Sequence, residues 1–243
     1  MEFKITPSPL ESERFNIKAG KLSIVLEQDV EKILPELNAQ GMNFLSVRVD
    51  CENIGLVQKL EAKGFFLTDT LVYYKKKISD KAKVPLAEAP YIIREATQSD
   101  FDGILKVAEK SFKGYIGHYH TDPRFDNAQA DAVYVDWIQR SCESGFLADC
   151  VLVTEENGEI SSFASVKKDQ SKAEGILFGV DPAHQGKGIY RELIRASMNW
   201  AIDRGCSDIW YSTQINNIAV QKVWVREGCE LAKSYYTLHY WKN

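Results

Sequence analysis

No CxxC pair occurs in the 243-residue chain, and its five cysteines, Cys51, Cys142, Cys150, Cys206 and Cys229, are scattered and odd in number. Neither a zinc ribbon nor a disulfide framework is indicated, and a reducing cytoplasm suits such thiols. A surplus of positive charge is missing too. The formal net charge of −4 argues against a protein that relies on a basic surface to hold DNA or RNA. No apolar run reaches the length needed to cross a bilayer, and "MEFKITPSPLESERF" lacks the basic-then-apolar order of a secretory signal. No membrane partner is expected, and the expected location is cytoplasmic. What the chain does have is 44% apolar residues, enough for one large core or two small ones in an ordinary globular protein.

The stretch "KKKISDKAKVPLAEAP", residues 75–90, breaks the apolar periodicity with five lysines, Pro85 and Pro90 and reads as a linker. It separates a first domain, residues 1–85, from a second, residues 91–243. Beyond it the pattern predicts a strand at "YIIREA", a helix over about Ser99 to Phe112, a loop, and a second helix ending near Cys142. Two strands joined at "ENGE" follow, with Asn157 and Gly158 at the tip of a hairpin turn. Residues 172–180 make another strand. Ile189, Leu193, Ala196 and Trp200 then recur at helical spacing and predict one buried helix face. "DIWYST" is a strand, "NIAVQKVWVREG" a short helix stopped by Gly228, and "AKSYYTLHYW" a last strand. The expected fold class is α/β, a mixed central sheet with helices on both faces.

The glycine turn in "GILFGVDPAHQGKGIY", residues 175–190, invites a test against phosphate-binding designs. A P-loop needs GxxxxGK and then Ser or Thr, but Gly179 is too far ahead of Gly186 and Gly188 follows Lys187. A dinucleotide fingerprint needs a glycine where Arg191 stands and an acidic residue ending the next strand, and "IWYSTQ" has none. What remains is a strand, a turn from Gln185, and consecutive backbone N–H groups from Gly186 to Tyr190 at a helix N-terminus. Such a nest holds a pyrophosphate without a special side chain, with the glycines letting the backbone come close.

This pattern resembles the acetyl-CoA motif of the GNAT acetyltransferases through Gln185, Gly188 and Tyr190. A second motif of that family is matched in "NIAVQKVWVREGC" by Asn217, Val220, Trp224 and Gly228. The resemblance covers about residues 91–243. Within the family, "GHYHTDPRF" and "SYYTLHYW" look like the bacterial TDP-amino-sugar acetyltransferases. Two positions depart from the pattern: Tyr190 where Gly or Ala is preferred, and Trp224 where Tyr is usual. The resemblance implies that residues 173–180 splay from "DIWYST", leaving a cleft for the pantetheine arm of acetyl-CoA. Backbone groups around Phe178, Gly179 and Val180 would pair with the pantetheine amides. Gln185, Gly186, Lys187, Gly188, Ile189 and Tyr190 would hold the pyrophosphate, and Asn217 and Trp224 would border the thioester. The alternative is a strand-to-helix turn whose glycines serve chain direction only.

Shifting by 164 positions aligns residues 53–67 with 217–231 and matches Asn53, Ile54, Gly64 and Leu67 with Asn217, Ile218, Gly228 and Leu231. About one identity is expected by chance over such a window, so a divergent internal repeat is indicated. The first domain thus resembles half of an acetyltransferase fold, but it has no counterpart of "HQGKGIY". A structural role is expected of it, capping the sheet or walling the acceptor site, with regulation as the minority view.

For the acceptor, "SFKGYIGHYHTDPRF" gathers Lys113, His118, His120 and Arg124 with Tyr115, Tyr119 and Phe125 on one loop. Arg and Lys bind a diphosphate while aromatic faces stack on a base or sugar; the competing reading is a solvated turn stopped by Asp122 and Pro123. The HxH pair does not specify a metal site without a third ligand. No cysteine sits in a Cys–His arrangement, so direct transfer in a ternary complex is expected. The resulting expectation is an acetyl-CoA-dependent N-acetyltransferase acting on the amine of a TDP-amino sugar, needing no metal, with His118, His120 and Arg124 on the acceptor. Trp224, and the Tyr236 hydroxyl as a substitute for a tyrosine there, are the catalytic candidates. A homodimer is allowed. Another small amine, amino acid or protein terminus is the alternative acceptor, and an inactive CoA-sensing module the alternative of another class.

Overall fold

The computed structural model describes residues 3–24, 26–78, 82–143 and 147–242. The chain divides into two compact units that are not contiguous in sequence. The first holds residues 1–72, 116–130 and 233–243, and the second residues 73–115 and 131–232.

Alternating burial carries the first strand, β1 (Phe3–Pro7), whose Phe3 and Ile5 face inward. There follow α1 (Pro9–Phe15), β2 (Ala19–Ile24), α2 (Val30–Ala39), β3 (Phe44–Asp50), α3 (Ile54–Ala62) and β4 (Phe66–Lys77). β1 and β2 are antiparallel, and β2 runs parallel to β3 with Ala19 opposite Phe44. The last strand of the chain, β10 (Glu230–Trp241), pairs antiparallel with β3, Tyr235 opposite Asp50 and Trp241 opposite Phe44. Strand order in this unit is β1-β2-β3-β10-β4. Its apolar cluster joins Ile5, Leu22, Ile33, Leu37, Leu56 and Leu60 to Leu238.

The second unit starts at Tyr73 within β4 and adds β5 (Ile92–Glu95), α4 (Phe101–Ser111), α5 (Asn127–Glu143, from Asp131 onward), β6 (Cys150–Glu156) and β7 (Glu159–Asp169). β8 (Lys172–Val180), α6 (Ile189–Asp203), β9 (Asp208–Gln214) and α7 (Ile218–Arg226) complete it. Asn157 (φ 53°) and Gly158 (φ 83°) close the expected hairpin between β6 and β7, the left-handed pair that a two-residue turn demands. Strand order here is β4-β9-β8-β7-β6-β5, antiparallel from β5 to β8 and parallel between β8 and β9. On α6 the residues Ile189, Leu193, Ala196 and Trp200 are all buried, as their spacing requires. The mixed sheets and helices are the α/β class expected. Among the described residues no helix is long and apolar enough to cross a membrane.

The stretch read as a linker has a different local structure. Lys75 to Lys77 complete β4. Val84 exchanges two hydrogen bonds with the Asn199 side chain on α6 (2.7 and 2.9 Å), and the Ala87 N–H donates to Glu192 at 2.9 Å. Polar side chains of a helix thus satisfy a backbone that has no periodicity of its own. Residues 79–81 of that stretch lie outside the described residues.

The offset of 164 seen in the sequence recurs in the elements: β3 and β9 begin at Phe44 and Asp208, α3 and α7 at Ile54 and Ile218, β4 and β10 at Phe66 and Glu230. Asn53 and Asn217 occupy the N-cap of each helix, and Gly64 (φ 89°) and Gly228 (φ 76°) follow each C-terminus. Each Gly takes the left-handed conformation that ends a helix.

Candidate active site

Within the second unit, β8 and β9 pair only from Lys172–Asp208 to Gly175–Tyr211, although β8 continues to Val180 and β9 to Gln214. The other edge of β8 explains where the pairing stops. Leu177 lies opposite Ser165 and Gly175 opposite Val166, so Ile176 is an extra, bulged residue that bends the strand. The Ser165 hydroxyl fills the gap, accepting from the Leu177 N–H at 3.1 Å and donating to its carbonyl at 3.3 Å. Gly175 is needed at this point because a Cβ there would meet the Tyr211 ring at 2.6 Å. Beyond it, Phe178, Gly179 and Val180 are paired with Ala164, Phe163 and Ser162 on one edge, and among the described residues have no strand on the other. The splay expected of this strand is therefore present, and it exposes an edge able to accept an extended amide chain.

At the end of β8, Asp181 accepts from the Ala183 N–H at 2.9 Å and caps a short turn over Pro182–His184. Its carboxylate also binds the Lys110 ammonium at 2.7 Å, which holds its pKa below the usual range. Gln185 ties back, donating to the Val180 carbonyl at 3.3 Å. Gly186 (φ 77°) and Gly188 (φ 83°) are exposed, and a Cβ on either would meet nothing within 4 Å. Within the protein what glycine supplies at both positions is the left-handed backbone. Gly188 is the N-cap of α6, and among the described residues no side chain caps that end, which leaves the first amides of the helix without a side-chain partner, with the exposed Lys187 next to them in sequence. An anion fits that end by dipole and by hydrogen bonds.

The second motif packs against the first. Trp224 is only 2% exposed, its ring 5.6 Å from Tyr211 and 5.4 Å from Tyr74. Its indole N–H donates to the Tyr190 hydroxyl at 3.1 Å. The two departures from the family pattern, 34 positions apart, are therefore bonded to each other. The Tyr190 ring lies 5.8 Å from Phe178 on the unpaired stretch of β8, and burial pushes its pKa up. Asn217 donates to the Thr213 hydroxyl at 3.0 Å, and the Tyr115 hydroxyl hydrogen-bonds the Gln214 side chain. Glu227 fixes α7 to α6 by accepting from Arg195 at 2.9 Å and from Arg191. Burial acts to raise its carboxyl, and the two guanidiniums outweigh it. Burial also pushes the thiols up, Cys142 to about 11, Cys150 and Cys229 to about 12, and Cys206 in the same direction. None of these four is a thiolate nucleophile at neutral pH.

His118, His120, Arg124 and Tyr236 belong to the first unit. His118 Nδ1 and His239 Nε2 are 2.8 Å apart, and His239 Nδ1 lies 2.9 Å from Asp122, which also accepts from the Trp241 indole at 2.8 Å. His239 and Asp122 are both buried. Burial first, then His239, lowers the His118 pKa well below its ordinary value. His120 accepts from the Gly117 N–H at 3.2 Å and shapes the turn. Arg124 is exposed, its guanidinium 5.5 Å above the Phe66 ring. Tyr119 and Phe125 are core residues packed on Phe15 at 5.1 and 4.3 Å, and so are not free to stack on a ligand base. Tyr236 packs against the unit's apolar cluster. No group of three or more potential metal ligands occurs among the described residues. The His118–His239–Asp122 chain was missed by sequence reasoning, and with His239 far along the chain from the other two no local spacing signals it.

Residues 115–228 match the acetyltransferase (GNAT) family. The chain is 21% identical over 97% of its length to a dTDP-fucosamine acetyltransferase from Escherichia coli, 97% of which is covered. It is 21% identical over 82% of its length to a spore coat polysaccharide biosynthesis protein from Bacillus subtilis, covering 67% of that protein. In structure it is similar to an N-acetyltransferase of the same family from Sphaerobacter thermophilus, with a TM-score of 0.68 and 11% identity over 98% of this chain and 75% of that one.

Proposed function

Starting from residues 115–228 as the acetyltransferase domain of a GNAT-family enzyme, we propose that this N-acetyltransferase moves the acetyl group of acetyl-CoA to the amino group of a TDP-linked amino sugar. The observation that carries the reading is the unpaired edge of Phe178–Val180 leading into the exposed, uncapped turn of Gly186 and Gly188. Pantetheine amides would add to that edge as a strand does, and the diphosphate would take the α6 amides, with Lys187 alongside. The amine lone pair attacks the thioester carbonyl carbon, the C–S bond breaks with its electron pair left on sulfur, and the amine proton passes to solvent. A direct transfer agrees with four thiols held protonated by burial.

The acceptor class is supported by the names of two relatives concerned with an amino sugar and a polysaccharide. Arg124, exposed and rigidified by the Phe66 and Trp241 rings, is assigned to the acceptor diphosphate, with His118 and His120 on the same loop. The test is thiol release from acetyl-CoA with a panel of amines that includes TDP-amino sugars, amino acids and polyamines. Turnover with TDP-amino sugars alone supports the reading. Preference for another amine replaces the acceptor, and acetyl-CoA binding without turnover on any amine replaces the enzyme by a CoA-sensing module.

A further inference from the structure

One face of β2, β3 and β10 in the first unit is apolar at one end and cationic further along. Ala19, Phe44 and Trp241 form a row across the three strands, with Phe125 packed on Phe44. Two residues on, the row is Lys21, Ser46 and His239, and after it come Arg48 and Thr237. Opposed residues share a face. Lys21 and Arg48 are both exposed, and strand geometry sets their Cα atoms about 8 Å apart. Lys4, also exposed, enters the same face from β1, opposite Ser23. Among the described residues, Lys4, Lys21 and Arg48 have no ion pair or hydrogen bond from their side chains. The first acid along β3 on this face is Asp50, whose carboxylate accepts the Glu52 N–H at 3.0 Å. Gathered like charges repel, and a bound anion removes that cost.

Two polar groups beside these cations also lack partners among the described residues. Thr237, opposite Arg48 and only 2% exposed, has a buried hydroxyl with no hydrogen bond, a costly state for a polar group. The second ends the chain from Asp122. Asp122 accepts from His239 Nδ1 and from the Trp241 indole, so His239 Nε2 carries a lone pair and His118 Nδ1 donates to it at 2.8 Å. That assignment leaves His118 Nε2 as an acceptor. The His118 ring lies 5.1 Å from that of His239, and after burial and His239 the charges of Arg48 and Lys21 help to hold its pKa down. We propose that this face of the first unit binds the phosphate of a small phosphorylated ligand through Lys21 and Arg48, with His118 Nε2 accepting from a ligand hydroxyl. Arg48 offers a planar fork to two phosphate oxygens and Lys21 a point charge. The site is separate from the α6 turn, and it stands whether or not the transferase reading holds.

The experiment is calorimetry on the full chain with TDP, inorganic phosphate and thymidine at low salt, and separately with CoA. The parent is compared with Lys21→Ala, Arg48→Ala and Lys59→Ala. Lys59 is an exposed lysine of the same unit, paired with Glu27 on another element, and controls for loss of charge alone. The expected result is binding of TDP or phosphate but not of thymidine, weakened about tenfold or more in Lys21→Ala and in Arg48→Ala. Lys59→Ala, and the CoA Kd of every variant, stay within about twofold of the parent. Tighter binding of TDP than of phosphate supports a nucleotide as the ligand, and equal binding supports a free phosphate source. A parent that binds neither probe overturns the proposal. So do site variants within twofold of the parent, or an equal loss in Lys59→Ala or in CoA affinity. Turnover with amines, which tests the transferase reading, is measured apart from these titrations and fails separately.

Discussion

Gly188 and Gly158 share a φ of 83°, and a Cβ on either meets nothing within 4 Å. One stands at the N-cap of α6, the other at the tip of the β6–β7 hairpin. Alanine at either position pays the left-handed backbone penalty, about 1–2 kcal/mol, with no clash to add. Against a total stability of roughly 5–15 kcal/mol both variants remain folded, and each Tm falls by about 2–8 °C. Only Gly188→Ala places a methyl group, or a shifted backbone, at the turn proposed to hold the diphosphate. Losing one amide-to-phosphate hydrogen bond, worth about 1.5–3 kcal/mol, weakens CoA binding roughly 10- to 160-fold. Calorimetry with CoA on the parent and both variants, with thermal melts alongside, separates strain from ligand contact. Equal CoA affinities in all three, with Tm lowered in both variants, would refute the assignment of this turn to the diphosphate.

Gly175→Ala puts a Cβ 2.6 Å from the Tyr211 ring; this overpacking costs about 1–3 kcal/mol and shows as a lowered Tm, and a Tm unchanged within 1 °C, on the order of 0.3 kcal/mol, would discount the wedge at the end of the β8–β9 pairing. Arg124→Ala raises KM for a TDP-amino sugar by about tenfold while leaving that for acetyl-CoA unchanged; equal effects on both substrates make the loop a scaffold. The folded pKa of His118 lies below the unfolded value of about 6.5, so the unfolded chain takes up the proton first on acidification. That contribution to stability is complete above about pH 6.5 and falls by up to about 1.4 kcal/mol per pH unit below it. Urea titrations at pH 7.5, 6.0 and 5.0 check this, with the slope reduced in His118→Gln; an unchanged slope would remove His118 as its source.

Local pattern and spacing were enough to read the elements that carry the site. The four-residue "ENGE" closes the β6–β7 hairpin because Asn157 and Gly158 tolerate positive φ. The apolar spacing from Ile189 to Trp200 became the buried face of α6, and the paired Asn and Gly of α3 and α7 mark the same cap and stop 164 positions apart. The strand-to-helix turn from Gln185 to Tyr190 was legible for the same reason, since its left-handed glycines are a matter of local sequence. What tertiary structure alone decided are the partners across long separations. The bulge at Ile176 sets where β8 leaves β9. The docking of α7 on α6 joins Trp224 to Tyr190. The register of β10 on β3 brings His239 to the unit that holds His118 and Asp122, and the same unit draws Tyr119 and Phe125 into its core. A residue type and its periodicity determine which face of a local element is buried; which distant side chain meets it there depends on sheet register and helix docking, and these are decided only when the whole chain packs.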